Sequence, residues 1–414
     1  MKIGICIVAF VIGCLFAVLV RSDDQAVRTD SHSTTTPTQL ALAPDTVDVS
    51  AAPAMLLNII KHPFGTYEDQ PVSRYVCSNK NGLSFEVIDW GATIIAVKTK
   101  DRDGKFDNVV LNCEGLEGYQ ACESYFGSTI GRFSNRIANG KFLLDGNPHS
   151  LSLNDENHHL HGGSQGFDKR VWSTEEIVDA DSVGVRMSLT SPDGDQGYPG
   201  TCLVSVTYLL NNEDQLSVEF KAQSDSPTVV NLTNQSYWNL DGDVTESIAS
   251  HQLRIDSDQR LVLDEQQIPT GEIQPVVDTR FDFRQLDWVG KFDPITSSPV
   301  SIDQPLTIAG TFKGYNDHFV LNSQSGALAF AATLISPKSG RKMEVWTTQP
   351  GLCLDSANLL DGLPASGGLP KHSGICLRTQ HHPDSPNQPK FPSTVLRPSD
   401  TYHQTTVFSF SVVE

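Results

Sequence analysis

The chain of 414 residues carries 49 acidic against 30 basic side chains, a formal net charge of −19 at pH 7. A field of that sign repels nucleic acid and anionic membrane surfaces and leaves a neutral small molecule unaffected. The hydrophobic fraction of 38% is enough for a packed core, and 31 Gly with 23 Pro suit a turn-rich β architecture better than a helical one.

The N-terminus reads as a targeting segment. After Lys2, residues Ile3–Val20 hold no charge, and Arg21 closes the run. That is the pattern of a secretory h-region or of a spanning helix. Residues 1–22 are expected to be a signal peptide, so that the mature chain is secreted; an uncleaved type II anchor, the one route to a membrane, is the alternative. Residues 23–56 are rich in Ser, Thr, Asp, Ala and Pro and hold no sustained period of 2 or 3.6. They read as a disordered spacer, with a propeptide as the runner-up. A single folded domain is expected over 57–414.

From Leu57 the text is strand, turn, strand. "LSFEVIDWGATIIAVKTKDRDGKFDNVVL" alternates apolar and polar residues and breaks at Trp90-Gly91 and at Asp103-Gly104. "GKFLLDGNPHSLSL" does the same around Asp145-Gly146, "CLVSVTYLLNNEDQLSVEFKAQS" around "NNEDQ", and "ALAFAATLISPKSGRKMEVWTTQPGLCL" around Ser339-Gly340. "TTVFSFSVV" supplies a last strand. No long segment holds helical spacing and no fixed-period repeat is present, which predicts an all-β fold with few short helices. Six cysteines (Cys77, Cys113, Cys122, Cys202, Cys353 and Cys376) are scattered without a CxxC pair, so a zinc site is not indicated; buried free thiols or disulfides remain open.

Several segments are unusually polar for interior strands. "GRFSNRIANGKF" holds Asn135 and Arg136; "NDENHHLHGGSQGFDKRVW" holds His158, His159 and His161, then Phe167, Asp168, Lys169 and Trp172. "SPDGDQGYPG" is a turn cluster, "YNDHFVL" carries Asn316, Asp317 and His318, and "TTQPGLCLDSANLLDG" carries Gln349, Asp355 and Asn358. "GICLRTQHHPDSPNQPKFP" adds Arg378, Gln380, His381 and His382, and "NLTNQSYWNL" places Gln235 at its centre. A polar residue on a buried strand needs a partner or a purpose. Amides, Arg, His and aromatic rings converging from distant segments are what a sugar pocket requires. The three histidines could be metal ligands as a bare cluster, but no carboxylate or Cys spacing accompanies them, and no metal or cofactor is expected.

"GRFSNRIANGKF", "HLHGGSQGFDKRVW", "SPDGDQGYPG", "NLTNQSYWNL", "TTQPG" and "NQPKFPSTVLRPSDTY" follow one another in the order seen in the aldose 1-epimerases, or galactose mutarotases, which this chain resembles from about residue 58 to its end. The resemblance implies a large antiparallel β-sandwich of galactose mutarotase type, a free hexose such as galactose or glucose as ligand, and no cofactor; the chain is expected to be a monomer. The family's reaction interconverts anomers: a base takes the anomeric proton, an acid protonates the ring oxygen, and the opened ring recloses on the other face. The family's acid His falls on Gln235 and its base Glu on Arg378. Gln does not titrate near neutral pH, and Arg keeps its proton and accepts no hydrogen bond. A family Asp falls on Asn316, with Asp317 one place late. The binding positions Asn135, Arg136, His161 and Gln349 match. Three readings follow: a hexose binder with impaired or lost catalysis, an active epimerase in which His161 and His382 act as the pair, and a binder of acidic or phosphorylated sugars drawn by Arg378. The sequons at Asn231 and Asn234 fall on the implied cleft strand and are expected to stay unmodified.

Overall fold

Alternation with a period of two governs the architecture. In the strand Cys202–Asn211, Cys202, Val204, Val206, Tyr208 and Leu210 face inward, and in Gln215–Ser224 Leu216, Val218, Phe220 and Ala222 do the same. The two pair antiparallel from Leu210 opposite Leu216 to Cys202 opposite Ser224, the hairpin expected around "NNEDQ". The hairpins at Asp145-Gly146 and Ser339-Gly340 form as well, as Lys141–Leu144 with Asn147–Ser150 and as Ala329–Ile335 with Arg341–Thr347.

The computed structural model describes residues 56–291, 312–323 and 326–414, all within one compact unit. The expected signal segment, and the spacer up to residue 55, lie outside them. Three antiparallel sheets dominate. The largest has nine strands in the order Ser173–Val178, Ser182–Ser191, Cys202–Asn211, Gln215–Ser224, Tyr402–Val412, Arg341–Thr347, Ala329–Ile335, Gln252–Ile255 and Asp287–Trp288. The C-terminal strand therefore lies inside this sheet, with Phe408 and Phe410 packed on Trp238 at ring separations of 4.9 and 5.7 Å. A six-stranded sheet runs Tyr237–Trp238, Ile375–Gln380, Gly351–Asp355, Asn316–Val320, Gln259–Leu263 and Pro269–Pro275. A five-stranded sheet is built in chain order from Asn58–Tyr67 to Phe106–Asn108.

One hydrophobic core draws on all three sheets. Val206 and Phe408, Leu354 and Leu377, and Phe85 and Val87 all belong to it. Helix is scarce, as the patterning predicts: among the described residues the α-helical segment is Gly115–Ala121, and no helix is long and apolar enough to cross a membrane. The six cysteines are free thiols, five of them buried.

Candidate functional site

The strand Ile375–Gln380 is buried along its whole length, on both faces. Its register sets a polar row across the six-stranded sheet. Arg378 lies opposite Cys353, which lies opposite His318; Cys376, Asp355 and Asn316 form the next row on the same face. Arg378 Nη2 accordingly donates to Cys353 Sγ at 3.3 Å. Beside that row Gly351 must be bare: a Cβ there would stand 2.3 Å from His318 Nε2 and 2.9 Å from His382 Nδ1. The space it leaves holds the His318–His382 hydrogen bond of 2.9 Å.

Gln235 reaches the same point from another direction. It sits between the short strands Thr233–Asn234 and Tyr237–Trp238. Its N–H donates to the Ser128 carbonyl at 3.0 Å and its own carbonyl accepts from the Gly127 N–H at 2.9 Å, which fixes the backbone. Its side-chain oxygen then accepts a hydrogen bond from Arg378 Nη1, while Nε2 contacts the Ser124 carbonyl at 3.4 Å. Both side chains are sealed from solvent, each residue only 4% exposed.

His161 completes this group. Its Nδ1 accepts from the Asn135 N–H at 3.1 Å, so the neutral ring carries its proton on Nε2. That nitrogen stands 3.4 Å from Arg378 Nη1, donor against donor. Burial first, then the cations Arg378 and Arg136, hold His161 well below the ordinary imidazole range. At neutral pH it is a neutral N–H donor. The nearby Asp355 is occupied by the Tyr237 hydroxyl at 2.9 Å and the Ala357 N–H at 2.8 Å, and burial pushes its carboxyl above the usual range.

Asn135 takes a left-handed backbone (φ 68°), and its Oδ1 accepts from the Arg136 N–H at 2.8 Å. Arg136 Nε donates to Asp155 Oδ2 at 2.6 Å. Asp317 faces Arg260 at 3.4 Å and Arg280 at 3.9 Å. Asn135, Arg136, Asn316, Asp317, His318 and Cys353 surround a cavity of about 10 Å³, room for about one water. Asn135, Arg136, His161, Gln235, Asn316 and Arg378 are thus gathered in one neighbourhood. Gln349 is not gathered with them: its Nε2 donates to the Leu232 carbonyl and to the Tyr402 hydroxyl, both at 3.2 Å, and its Oε1 accepts from His381 Nδ1 at 2.8 Å. His382 is occupied by His318, and burial lowers its pKa to about 4.

The remaining polar motifs are scaffold. His159 donates from Nδ1 to the Ser152 carbonyl at 2.7 Å and accepts at Nε2 from the Tyr198 hydroxyl at 2.7 Å. Tyr198 belongs to the turn cluster, whose Ser191, Pro199 and Gly200 are tied to the buried Arg132 guanidinium at 2.6–2.9 Å. His158 accepts from the Asn139 N–H at 3.2 Å. No group of three His, Cys, Asp or Glu residues among the described residues could hold a metal ion. Both sequon asparagines are buried, Asn231 bonded to the Ser134 carbonyl and Asn234 to that of Gly127. Two participants escaped the sequence reading. Cys353 follows from strand register alone; Tyr125, whose ring meets His161 edge-on at 5.0 Å, had only an aromatic before "FGSTIGRF" to signal it.

Comparison with known proteins places the chain in a family. The pattern of the aldose 1-epimerases matches residues 73–409. The chain belongs to the aldose 1-epimerase family. It is 44% identical over 333 residues to galactose mutarotase of Homo sapiens, covering 80% of this chain and 92% of that one. It is 35% identical over 347 residues to aldose 1-epimerase of Escherichia coli, covering 83% and 96%. Among solved structures, galactose 1-epimerase from Lactobacillus acidophilus superposes with a TM-score of 0.74 at 26% identity, covering 87% of this chain and 100% of that one. An aldose epimerase homologue from C. elegans superposes with a TM-score of 0.71 at 29% identity, covering 81% and 98%. The fold is that of the galactose mutarotases: antiparallel sheets with little helix.

Proposed function

We propose that this member of the aldose 1-epimerase family binds a hexose such as galactose or glucose and interconverts its anomers poorly or not at all. The observation that carries the reading is the hydrogen bond from Arg378 to Gln235. Where the family resemblance puts a proton acceptor and a proton donor, this chain holds a permanent cation and an amide. An Arg cannot take the anomeric proton and a Gln cannot protonate the ring oxygen. The neutral His161 is a poor acid as well, because its Nε2–H has no reason to leave at physiological pH.

Binding is a separate matter. Asn135, Arg136 and Asn316 line the remaining cavity, and Arg136 offers further N–H groups beyond its bond to Asp155. That cavity is only about 10 Å³, and we infer that a hexose enters when the Arg378 side chain, bonded to Cys353 in its wall, swings away from Gln235. Its partners there are one amide oxygen and one thiol, so the swing breaks two hydrogen bonds. We further propose that the mature chain is secreted, on the strength of the uncharged run Ile3–Val20.

Polarimetry of freshly dissolved α-galactose and α-glucose with the purified protein tests the catalytic half, and calorimetry with the same sugars tests the binding half. A first-order decay as fast as that given by an ordinary mutarotase would overturn the impaired reading and turn attention to His161 and His382.

A further inference from the structure

Two of the six free cysteines stand apart from the rest. Cys113 and Cys122 flank the short helix Gly115–Ala121 and belong to one apolar cluster with Tyr119 and Phe126. Gly115, at φ 65°, turns the chain between Cys113 and the helix. Cys113 then lies back against that helix, where a Cβ on Gly118 would stand 3.3 Å from the Cys113 Cβ. Cys122 follows one turn after Gly118 and donates its N–H to the Gly118 carbonyl at 3.0 Å. The turn Pro364–Ser366 closes the other side. The Glu123 N–H bonds the Ala365 carbonyl at 3.0 Å, and a Cβ on Gly367 would come within 3.3 Å of Cys113 Sγ. The two thiols are thereby held in hydrogen-bond contact, with Cys113 as the donor.

Their surroundings give the two thiols different tasks. Cys122 is partly exposed in the wall of a cavity of about 590 Å³, where a small reagent reaches it. The bond from Cys113, helped by the N–H and hydroxyl of Ser124, outweighs burial and lowers the Cys122 thiol to about 7. A thiol that titrates near ambient pH is the best attacking group in thiol–disulfide exchange. Cys113 is only 8% exposed, and the same bond, with burial, keeps its proton on. The other four thiols, Cys77, Cys202, Cys353 and Cys376, are buried, and burial pushes each of them up. They have the character of inert core thiols.

We propose that Cys113 and Cys122 form a redox-active dithiol that exchanges with low-molecular-weight disulfides, Cys122 attacking and Cys113 resolving. The Cys122 thiolate attacks one sulfur of R–S–S–R, forms a mixed disulfide and expels RS⁻. Capping Cys122 removes the bond that held the Cys113 proton. Cys113 then loses that proton, attacks the Cys122 sulfur and expels the second RS⁻, which closes a disulfide between the two cysteines. Two protein thiols are oxidised and R–S–S–R is reduced to two R–SH, which take up the two protons the cysteines release. Excess R–SH runs the exchange backward. Neither sugar binding nor secretion is required.

The test starts from the full chain, reduced, freed of reductant and treated with oxidised glutathione at neutral pH. Peptide mapping by mass spectrometry should find a disulfide between Cys113 and Cys122, with Cys77, Cys202, Cys353 and Cys376 still reduced. Iodoacetamide should label Cys122 ahead of those four in the reduced chain, with a pH midpoint near 7. Cys113→Ala should raise that midpoint toward the ordinary thiol value of roughly 8.5 and stop the exchange at a stable glutathione adduct on Cys122. Cys122→Ala should leave Cys113 unmodified. Because Cys122 is partly exposed, this second variant keeps the test decisive where Cys113→Ala fails to fold by circular dichroism. Three results would overturn the proposal: a Cys122 midpoint at or above roughly 8.5, no disulfide between the pair in oxidised glutathione, or a Cys113 that reacts equally well in Cys122→Ala.

Discussion

Arg378 donates a hydrogen bond to the side-chain oxygen of Gln235, and each side chain is held there by its own backbone: Arg378 on a doubly buried strand, Gln235 between two carbonyl–amide anchors. The two come from segments far apart in sequence, so the contact is a property of the fold and not of local geometry. It joins a guanidinium that never releases its proton to an amide that never takes one up. On the reading proposed above, the site keeps its polar lining and lacks a proton-transfer couple.

Reverting the two positions should therefore restore chemistry unequally. Gln235→His alone puts an imidazole against the Arg378 guanidinium, which favours the neutral ring and still leaves no base. Little mutarotation should return. Arg378→Glu supplies the base and removes a cation that adds to burial in lowering the His161 pKa, so it should recover more. The double variant should exceed either, since each proton transfer contributes roughly 10²–10⁴-fold and the pair acts on one transition state. Polarimetry of the three variants against the native chain decides the order. Equal, undetectable rates in all three would show that more than these two side chains has been lost.

Arg136 tests the binding half. It is partly exposed at the cavity rim, with one nitrogen engaged by Asp155 at 2.6 Å and the others available. Arg136→Ala should weaken hexose affinity by roughly 1.5–3 kcal/mol, the loss of a charge-assisted contact. Titration calorimetry reads the change directly. A dissociation constant that does not move means the sugar lies elsewhere.

Stability should fall in mild acid. Burial lowers the pKa of His159, His381 and His382 to about 4 each, against an ordinary value near 6.5. Between those values the unfolded chain binds more protons than the folded one, so this contribution is present above about pH 6.5 and is lost as pH falls toward 4. Asp168 runs the other way. Burial raises it to about 6, so the folded chain keeps a proton that the unfolded chain has released, and acidification returns stability through that group. His161, His251, His318 and His372 are lowered by burial as well, and Asp89, Asp317, Asp355 and Asp384 are raised like Asp168, so seven histidines stand against five carboxyls. Asp282, held down to about 2 by Arg284, also loses its contribution in acid, and the balance is a net loss. The melting temperature should drop steadily from pH 7 to pH 4.5. A maximum near pH 5 would mean that carboxyls such as Asp168 outweigh the histidines.

Period-two patterning was enough to read the hairpins and the all-β class, because alternation and turn residues are local signals. The cleft was legible where ordered motifs carried it: Asn135, Arg136, His161, Gln235 and Arg378 do converge. Gln349 shows what such motifs leave out. An amide inside an unaltered "TTQPG" looks the same in the sequence whether it meets a ligand or, as here, the Leu232 carbonyl, Tyr402 and His381. Cys353 and Tyr125 were missed for the same reason, since their neighbours are set by strand register and by a loop that folds back on His161. The turn cluster from Ser191 to Gly200 was as polar as any site segment, and the structure assigns it to support.

That support makes a final prediction. Arg132 is 1% exposed, and its two terminal nitrogens bind the Ser191 hydroxyl at 2.6 Å and the Pro199 and Gly200 carbonyls at 2.9 Å, with its guanidinium 5.4 Å from the centre of the Tyr198 ring. Tyr198 in turn holds His159, two residues before His161. Arg132→Ala removes the cation and leaves several buried oxygens without a donor, each costing about 1–3 kcal/mol, so a total loss of roughly 3–5 kcal/mol is expected. Arg132→Lys keeps the charge but has one head where the fork has two, and should recover only part of it. Urea unfolding of the three proteins measures both steps. Because the turn cluster positions His159 and the following loop, hexose affinity should weaken in Arg132→Ala even under conditions where the variant remains folded by circular dichroism. A variant that loses less than about 1 kcal/mol and binds sugar normally would show that the turn cluster holds its shape without the guanidinium.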